Sequence, residues 1–156
     1  MELFLFYDMS NLSTISIPGI PEKLASLQSQ VGNTPLFELR HLFRKKGVSI
    51  FAKQEWMQLS GSVKARAAYA IFRDAIHKGQ LGDGKILLDA TSGNTGIAYA
   101  HIGKSLGIPV TLCLPENASA ERKEILQSLG VELILTSRFE GTDGAQEVAL
   151  TLAENN

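Results

Sequence analysis

A chain of 156 residues is long enough for one domain with its own core, and 44% hydrophobic with 20% charged residues is ordinary for a soluble globular protein. A net charge of −1, with no basic stripe and no aromatic–basic interleaving, argues against nucleic-acid binding, and no apolar run approaches the length of a membrane span. The single cysteine excludes an internal disulfide and fits a reducing, cytoplasmic compartment, while three dispersed histidines offer neither a metal cluster nor a Ser-His-Asp or Cys-His arrangement.

Residues 1–20 show no clear period and read as a loosely held arm. The opening Met1-Glu2-Leu3-Phe4-Leu5-Phe6-Tyr7 is apolar but has no basic n-region, and Asp8 ends it, so it does not read as a signal peptide. A short helix is expected over 21–30, with Leu24 and Leu27 on one side. Val31-Gly32-Asn33-Thr34-Pro35-Leu36 then reads as a turn followed by extended chain, because the residue before proline is pushed towards β. His41 is placed at the surface, and Arg44-Lys45-Lys46 is read as a solvated turn.

From residue 48 the chain alternates. Strands are expected over 48–53, 85–90, 109–114 and 132–136. They are followed by helices over 63–77, 96–106, 119–129 and 141–154, ended in turn by Gly79, Gly107 and Gly130 in the first three cases. Four β-α repeats with short connections predict an α/β fold with a parallel sheet and helices on both faces. Cys113 falls within an apolar strand and reads as a small core residue. Ligands of such sheets bind beyond the carboxyl ends of the strands, where the loop 91–96 lies.

Two stretches break the ordinary pattern. In Ser60-Gly61-Ser62-Val63-Lys64-Ala65-Arg66, a lysine stands at the start of a helix, with Ser62 as the expected N-cap. That end carries partial positive charge and disfavours a cation. Lys64 is either an ordinary surface lysine or, if enclosed, an amine that the dipole and desolvation hold neutral and nucleophilic. In Thr91-Ser92-Gly93-Asn94-Thr95-Gly96, two glycines, three hydroxyls and a carboxamide meet at a helix N-terminus. The loop is either a self-capped turn or a cradle for a carboxylate or phosphate. Neither a G-x-G-x-x-G nor a P-loop is present.

Together with Val31-Gly-Asn-Thr-Pro-Leu36, Leu114-Pro-Glu-Asn-Ala-Ser-Ala-Glu-Arg122 and Gly141-Thr-Asp-Gly-Ala145, these stretches resemble, in content, order and spacing, the cysteine synthase family of fold-type II pyridoxal-phosphate enzymes. The resemblance runs from about residue 25 onward and covers the N-terminal half of the family pattern. Residues 1–24 stand ahead of it as an N-terminal arm, and it implies a lead-in segment over 25–47 that belongs to the large domain in the family and a small lysine-bearing α/β domain over 48–156. It implies pyridoxal 5′-phosphate as cofactor, held by Lys64 as a Schiff base and by Asn94 at the ring oxygen O3′. Lys64 would also carry the α-proton, and Thr91, Ser92, Gly93 and Thr95 would hold the substrate carboxylate. The implied reaction is β-replacement of the leaving group of O-acetylserine or O-phosphoserine by sulfide to give L-cysteine, in an enzyme that is a homodimer at full length.

Three departures from the pattern stand out. Ala65 replaces the family's aspartate after the lysine, and Gln58-Leu59 replaces Asn-Pro. The later Gly/Thr-rich loop that cradles the cofactor phosphate is missing. An alternative is therefore a truncated or split, catalytically inactive fragment that serves as a binding module.

Overall fold

The computed structural model describes residues 5–8, 19–42, 44–82, 84–91 and 93–155. Its main sheet has the order β1-β4-β5-β6, formed by β1 (Leu5–Asp8), β4 (Lys85–Ala90), β5 (Val110–Pro115) and β6 (Glu132–Thr136). The last three are parallel, with Leu87 opposite Val110 and Leu112 opposite Leu133, and β1 runs antiparallel along β4. Helices α1 (Ile20–Gln28), α2 (Lys64–His77), α3 (Asn94–Leu106) and α4 (Ala120–Ser128) share one core, and α5 (Gly141–Glu154) packs on the other face. The parallel sheet with helices on both faces is thus present.

Alternation along the strands builds the two layers. Leu87, Val110, Leu112 and Leu114 face the core with Phe72 of α2, Ala98, Ile102 and Leu106 of α3 and Leu126 of α4. Leu88 and Cys113 point the other way, against Ala145 and Ala149 of α5. Because β5 is covered on both sides, it reads as a nearly continuous apolar run. Helix α3 lies unusually close to β5: a Cβ on Gly103 would sit 2.5 Å from Val110 Cγ2, and one on Gly96 2.9 Å from Leu112 Cδ1. Both glycines are required by that approach.

The segment 48–53 departs from the expected arrangement. Only Phe51–Lys53 is strand (β3), and it pairs antiparallel with β2 (Leu36–Glu38) in a separate two-stranded ribbon rather than joining the parallel sheet. Its partner β2 precedes it across the connection 39–50, and the two close as an antiparallel pair. The place at the edge of β4 goes instead to β1, in the stretch where no element was expected. On and after the ribbon, Leu36, Phe37, Phe51, Trp56, Met57 and Val63 are exposed. Among the described residues no helix is long and apolar enough to cross a membrane.

The topology brings two helix starts to one end of the sheet. Helix α3 begins at the carboxyl end of β4 and returns to start β5. Helix α2 leads through a short connection into the amino end of β4, so its own first residue lies at the carboxyl end. Phe72 of α2 and Tyr99 of α3 have ring centroids 6.2 Å apart, where the two helices pack together.

Candidate active site

Lys64 is the first residue of α2 and its side chain is exposed. The helix starts one residue later than a Ser62 cap requires: Val63 is the flanking residue, with φ −55° and ψ −21°. The first turn is tight, with Ala65 N–H donating to Ser62 O (3.2 Å) and Arg66 N–H to Val63 O (3.2 Å). Ser62 Oγ still accepts a backbone N–H, that of Lys64, at 3.3 Å. Just ahead, Gly61 holds φ +70°, and Ser60 Oγ is buried with no hydrogen-bond partner among the described residues. Ala65, the departure from the family pattern, is fully buried.

Helix α3 begins at Asn94, two residues before the expected start, so Asn94 and Thr95 belong to its first turn. Gly93 precedes it in extended conformation, with φ −99° and ψ −162°, and no side chain caps the helix. Gly93 N–H lies 3.4 Å from Thr91 Oγ1, a turn closed by the threonine itself, and a Cβ on Gly93 would meet open space. Asn94 is exposed, and Thr91 and Thr95 are half-buried. Ser92 lies outside the described residues. The shared end of α2 and α3 therefore carries an accessible amine, a carboxamide, two hydroxyls and the positive pole of two helices. Among the described residues no group of histidine, cysteine and carboxylate side chains could hold a metal ion.

A hydrogen-bonded cluster below Lys64 was not visible in the sequence. Arg66 grips Glu55 with two donors: Nε to Oε2 at 3.0 Å and Nη2 to Oε1 at 2.8 Å. Thr34 Oγ1 donates to Glu55 Oε1 (2.8 Å) and accepts from Arg66 Nη2 (3.1 Å). Gln58 donates to Glu55 Oε2 (2.8 Å) and accepts from Gly32 N–H (2.9 Å), and Lys53 Nζ donates to Thr34 O. The Arg66 guanidinium, with Thr34 and Gln58, holds the Glu55 carboxyl down to about 2, and Glu55 raises Arg66 in turn. The cluster ties the turn 31–35 and the ribbon to the start of α2. Gln58, where the family pattern has asparagine, is buried and bonded on both sides. Thr34 and Arg66 lay in motifs already marked, but no local spacing reveals a pair 32 residues apart.

Residues 27–156 match the family described as pyridoxal-phosphate dependent enzymes, and the chain belongs to that family. It is 48% identical over 118 residues to a cysteine synthase of Aquifex aeolicus, covering 74% of this chain and 36% of that protein. It is 40% identical over 129 residues to cysteine synthase B of Salmonella typhimurium, covering 83% and 43% respectively. A solved structure, a hydrogen sulfide-producing enzyme from Fusobacterium nucleatum, superposes with a TM-score of 0.78 at 40% identity, over 87% of this chain and 41% of that one. The chain thus spans well under half the length of these relatives.

Proposed function

We propose that this chain is the lysine-bearing part of a pyridoxal 5′-phosphate-dependent enzyme that makes L-cysteine from an activated serine, O-acetylserine or O-phosphoserine, and sulfide. The observation that carries the reading is the common end of α2 and α3, where Lys64 opens one helix and Asn94 the other. The buried, unpartnered Ser60 hydroxyl and the open space at Gly93 support a bound group there.

Bound at this end, pyridoxal phosphate supplies the electron sink for negative charge at the substrate Cα. Lys64 Nζ would hold the cofactor's aldehyde and would also carry the proton at the substrate Cα. The Asn94 carboxamide would donate to the cofactor's ring oxygen. Thr91, Ser92 and Thr95, with the backbone N–H groups at Gly93 and the start of α3, hold the substrate carboxylate, which the helix dipole favours. Arg66, fixed by Glu55, keeps the first turn of α2 and hence Lys64 in place. Assembly as a homodimer belongs to the same proposal.

The test is an absorbance titration with pyridoxal phosphate. A band near about 410–430 nm, the region of a protonated imine of this cofactor, is expected for the chain and not for Lys64→Ala. A colourless chain that behaves identically with and without Lys64 contradicts the reading.

A second reading, an inactive fragment that acts as a binding module, is favoured by one observation. Leu36, Phe37 and Phe51 on the ribbon and Trp56, Met57 and Val63 beside it form exposed apolar surface of the kind that marks an interaction face. Under this reading the colourless outcome accompanies tight association with a partner polypeptide.

A further inference from the structure

The segment that leads into α2 carries an inference of its own. Gly61 N–H donates to Gln58 O at 2.8 Å, which closes a turn over residues 58–61 with Leu59 at its second position. That position suits a proline, whose ring sets φ there and whose missing N–H is not needed, because only the fourth residue donates. Gln58 itself is extended, with φ −71° and ψ 159°, the conformation that a following proline imposes. The turn therefore has the geometry of a proline turn with leucine in the proline's place. The Gln58 side chain, only 5% exposed, is what holds it. Nε2 donates to Glu55 Oε2 at 2.8 Å, and Oε1 accepts from Gly32 N–H at 2.9 Å. Arg66 Nε donates to that same Glu55 oxygen at 3.0 Å, and a Cβ on Gly32 would lie 3.4 Å from Arg66 Nη1. Gln58 thus ties its own turn to the turn 31–35 and, through Glu55, to the third residue of α2.

We infer that Gln58 is a positioning residue for Lys64: its two side-chain hydrogen bonds fix the turn 58–61, and with it the first turn of α2, as a proline at 59 would by ring geometry. The inference rests on the reading of Lys64 as the amine that takes the aldehyde. Lys64 is exposed, and Val63, the residue before α2, gives the helix no side-chain cap. An exposed lysine takes its direction from the backbone that carries it, so the hydrogen bonds behind that backbone decide where the amine points. Gly61, at φ +70°, joins the turn to Ser62 and Val63 and is the most freely rotating residue of the segment. Its conformation is held by the turn, and the turn is held by Gln58. Ser60, whose buried hydroxyl has no partner among the described residues, is the third residue of the same turn, so Gln58 places it as well.

The test compares three forms of the full chain: the parent, Gln58→Met, which keeps the side chain's length and removes both hydrogen bonds, and Gln58→Met combined with Leu59→Pro. Each is incubated with pyridoxal phosphate and reduced with borohydride, and the share of pyridoxyl groups on Lys64 is measured against the other exposed lysines. Gln58→Met should lower that share by about fivefold or more, and the added proline should restore most of it. A residue that only stabilised the fold would lower the melting temperature and leave the share in the folded chain unchanged. In the cofactor-free chain, amide hydrogen exchange at residues 61–66 should quicken by about fivefold or more in Gln58→Met and return towards the parent with the proline. An unchanged Lys64 share, or a loss that the proline does not restore, overturns the inference. Protection at β5 and β6 reports that each form is folded. If Gln58→Met is not, Gln58→Asn, one methylene too short to reach both partners, takes its place. A parent chain with no preference for Lys64, but with exchange that follows the two substitutions, removes the reading of that lysine and leaves the clamp standing. Unchanged exchange at 61–66 overturns the clamp itself.

Discussion

Glu55 and Arg66 face each other in a two-pronged ion pair, at 2.8 and 3.0 Å, two residues beyond the lysine that opens α2. The fork matches the carboxylate plane, and Thr34 and Gln58 bond the same two oxygens from the other side. Through this pair the turn at 31–35, the ribbon and the first turn of α2 become one unit.

The pair sets an acid dependence. Glu55 titrates near 2 in the folded chain against 4.5 for a free carboxyl, chiefly because of its bonds to Arg66. A depressed carboxyl stabilises the fold fully above its unfolded value, and that contribution is lost as the pH falls from about 4.5 towards about 2. His101 adds to the same trend, since burial and the nearby Lys104 charge lower it, and it resists protonation in the fold. Thermal denaturation of Glu55→Gln should give a lower melting temperature than the parent at pH 7. The two should converge as the pH drops through this window, and parallel profiles would contradict the assignment.

Gly103 tests the close packing of α3 on β5. An added methyl meets Val110 Cγ2 at 2.5 Å and the Ile108 carbonyl oxygen at 2.8 Å, and the carbonyl oxygen belongs to backbone that cannot rotate away. Gly103→Ala should destabilise the chain by about 1–3 kcal/mol, the usual range for overpacking, read from urea denaturation midpoints. An unchanged midpoint would show that the helix can lift off the sheet at little cost.

Cys113 is a core residue by location and by chemistry. It is fully buried on β5 against α5, and burial, with the charge of Asp89, pushes its thiol up to about 11. The fold favours the protonated form. Its contribution is present below about 9 and is lost as the pH rises towards about 11. A thiol reagent at pH 8 should leave the folded chain unlabelled and label it fully in denaturant. Rapid labelling of the native chain would contradict the packing.

The exposed ribbon predicts self-association. Phe37 lies opposite Ala52 and Phe51 opposite Glu38, and both phenylalanines are exposed. Sedimentation should show concentration-dependent association, reduced by Phe37→Asp together with Phe51→Asp. A monomer at all concentrations for the parent chain would contradict it.

The alternating part of the fold was legible because each element there satisfies local and tertiary demands together. The spacing of Ala145, Val148, Ala149 and Leu152 marked α5 with its observed bounds, and the apolar runs at 85–90 and 132–136 marked β4 and β6. The stretch 48–53 carried the same apolar signal, but which sheet a strand joins depends on its partner, here Leu36–Glu38. Leu5–Asp8 was missed because three apolar residues and an aspartate have no period to read, and only pairing with Lys85–Leu88 of β4 gives them a place. At the site, Lys64 and Asn94 could be marked from motif and helix position. Glu55 could not, because its partners Thr34 and Arg66 come from distant segments joined only by folding.

The central claim is that Lys64 is the amine that takes the cofactor's aldehyde. The most direct measurement is to incubate the chain with pyridoxal phosphate, reduce it with borohydride, digest it and locate the pyridoxyl group by mass spectrometry. The proposal predicts a single dominant adduct on Lys64, absent from Lys64→Ala and weakened when Asn94 is changed to alanine. Adducts scattered over the exposed lysines at 45, 46, 78 and 104 in proportion to their accessibility, with no preference for Lys64, would contradict it.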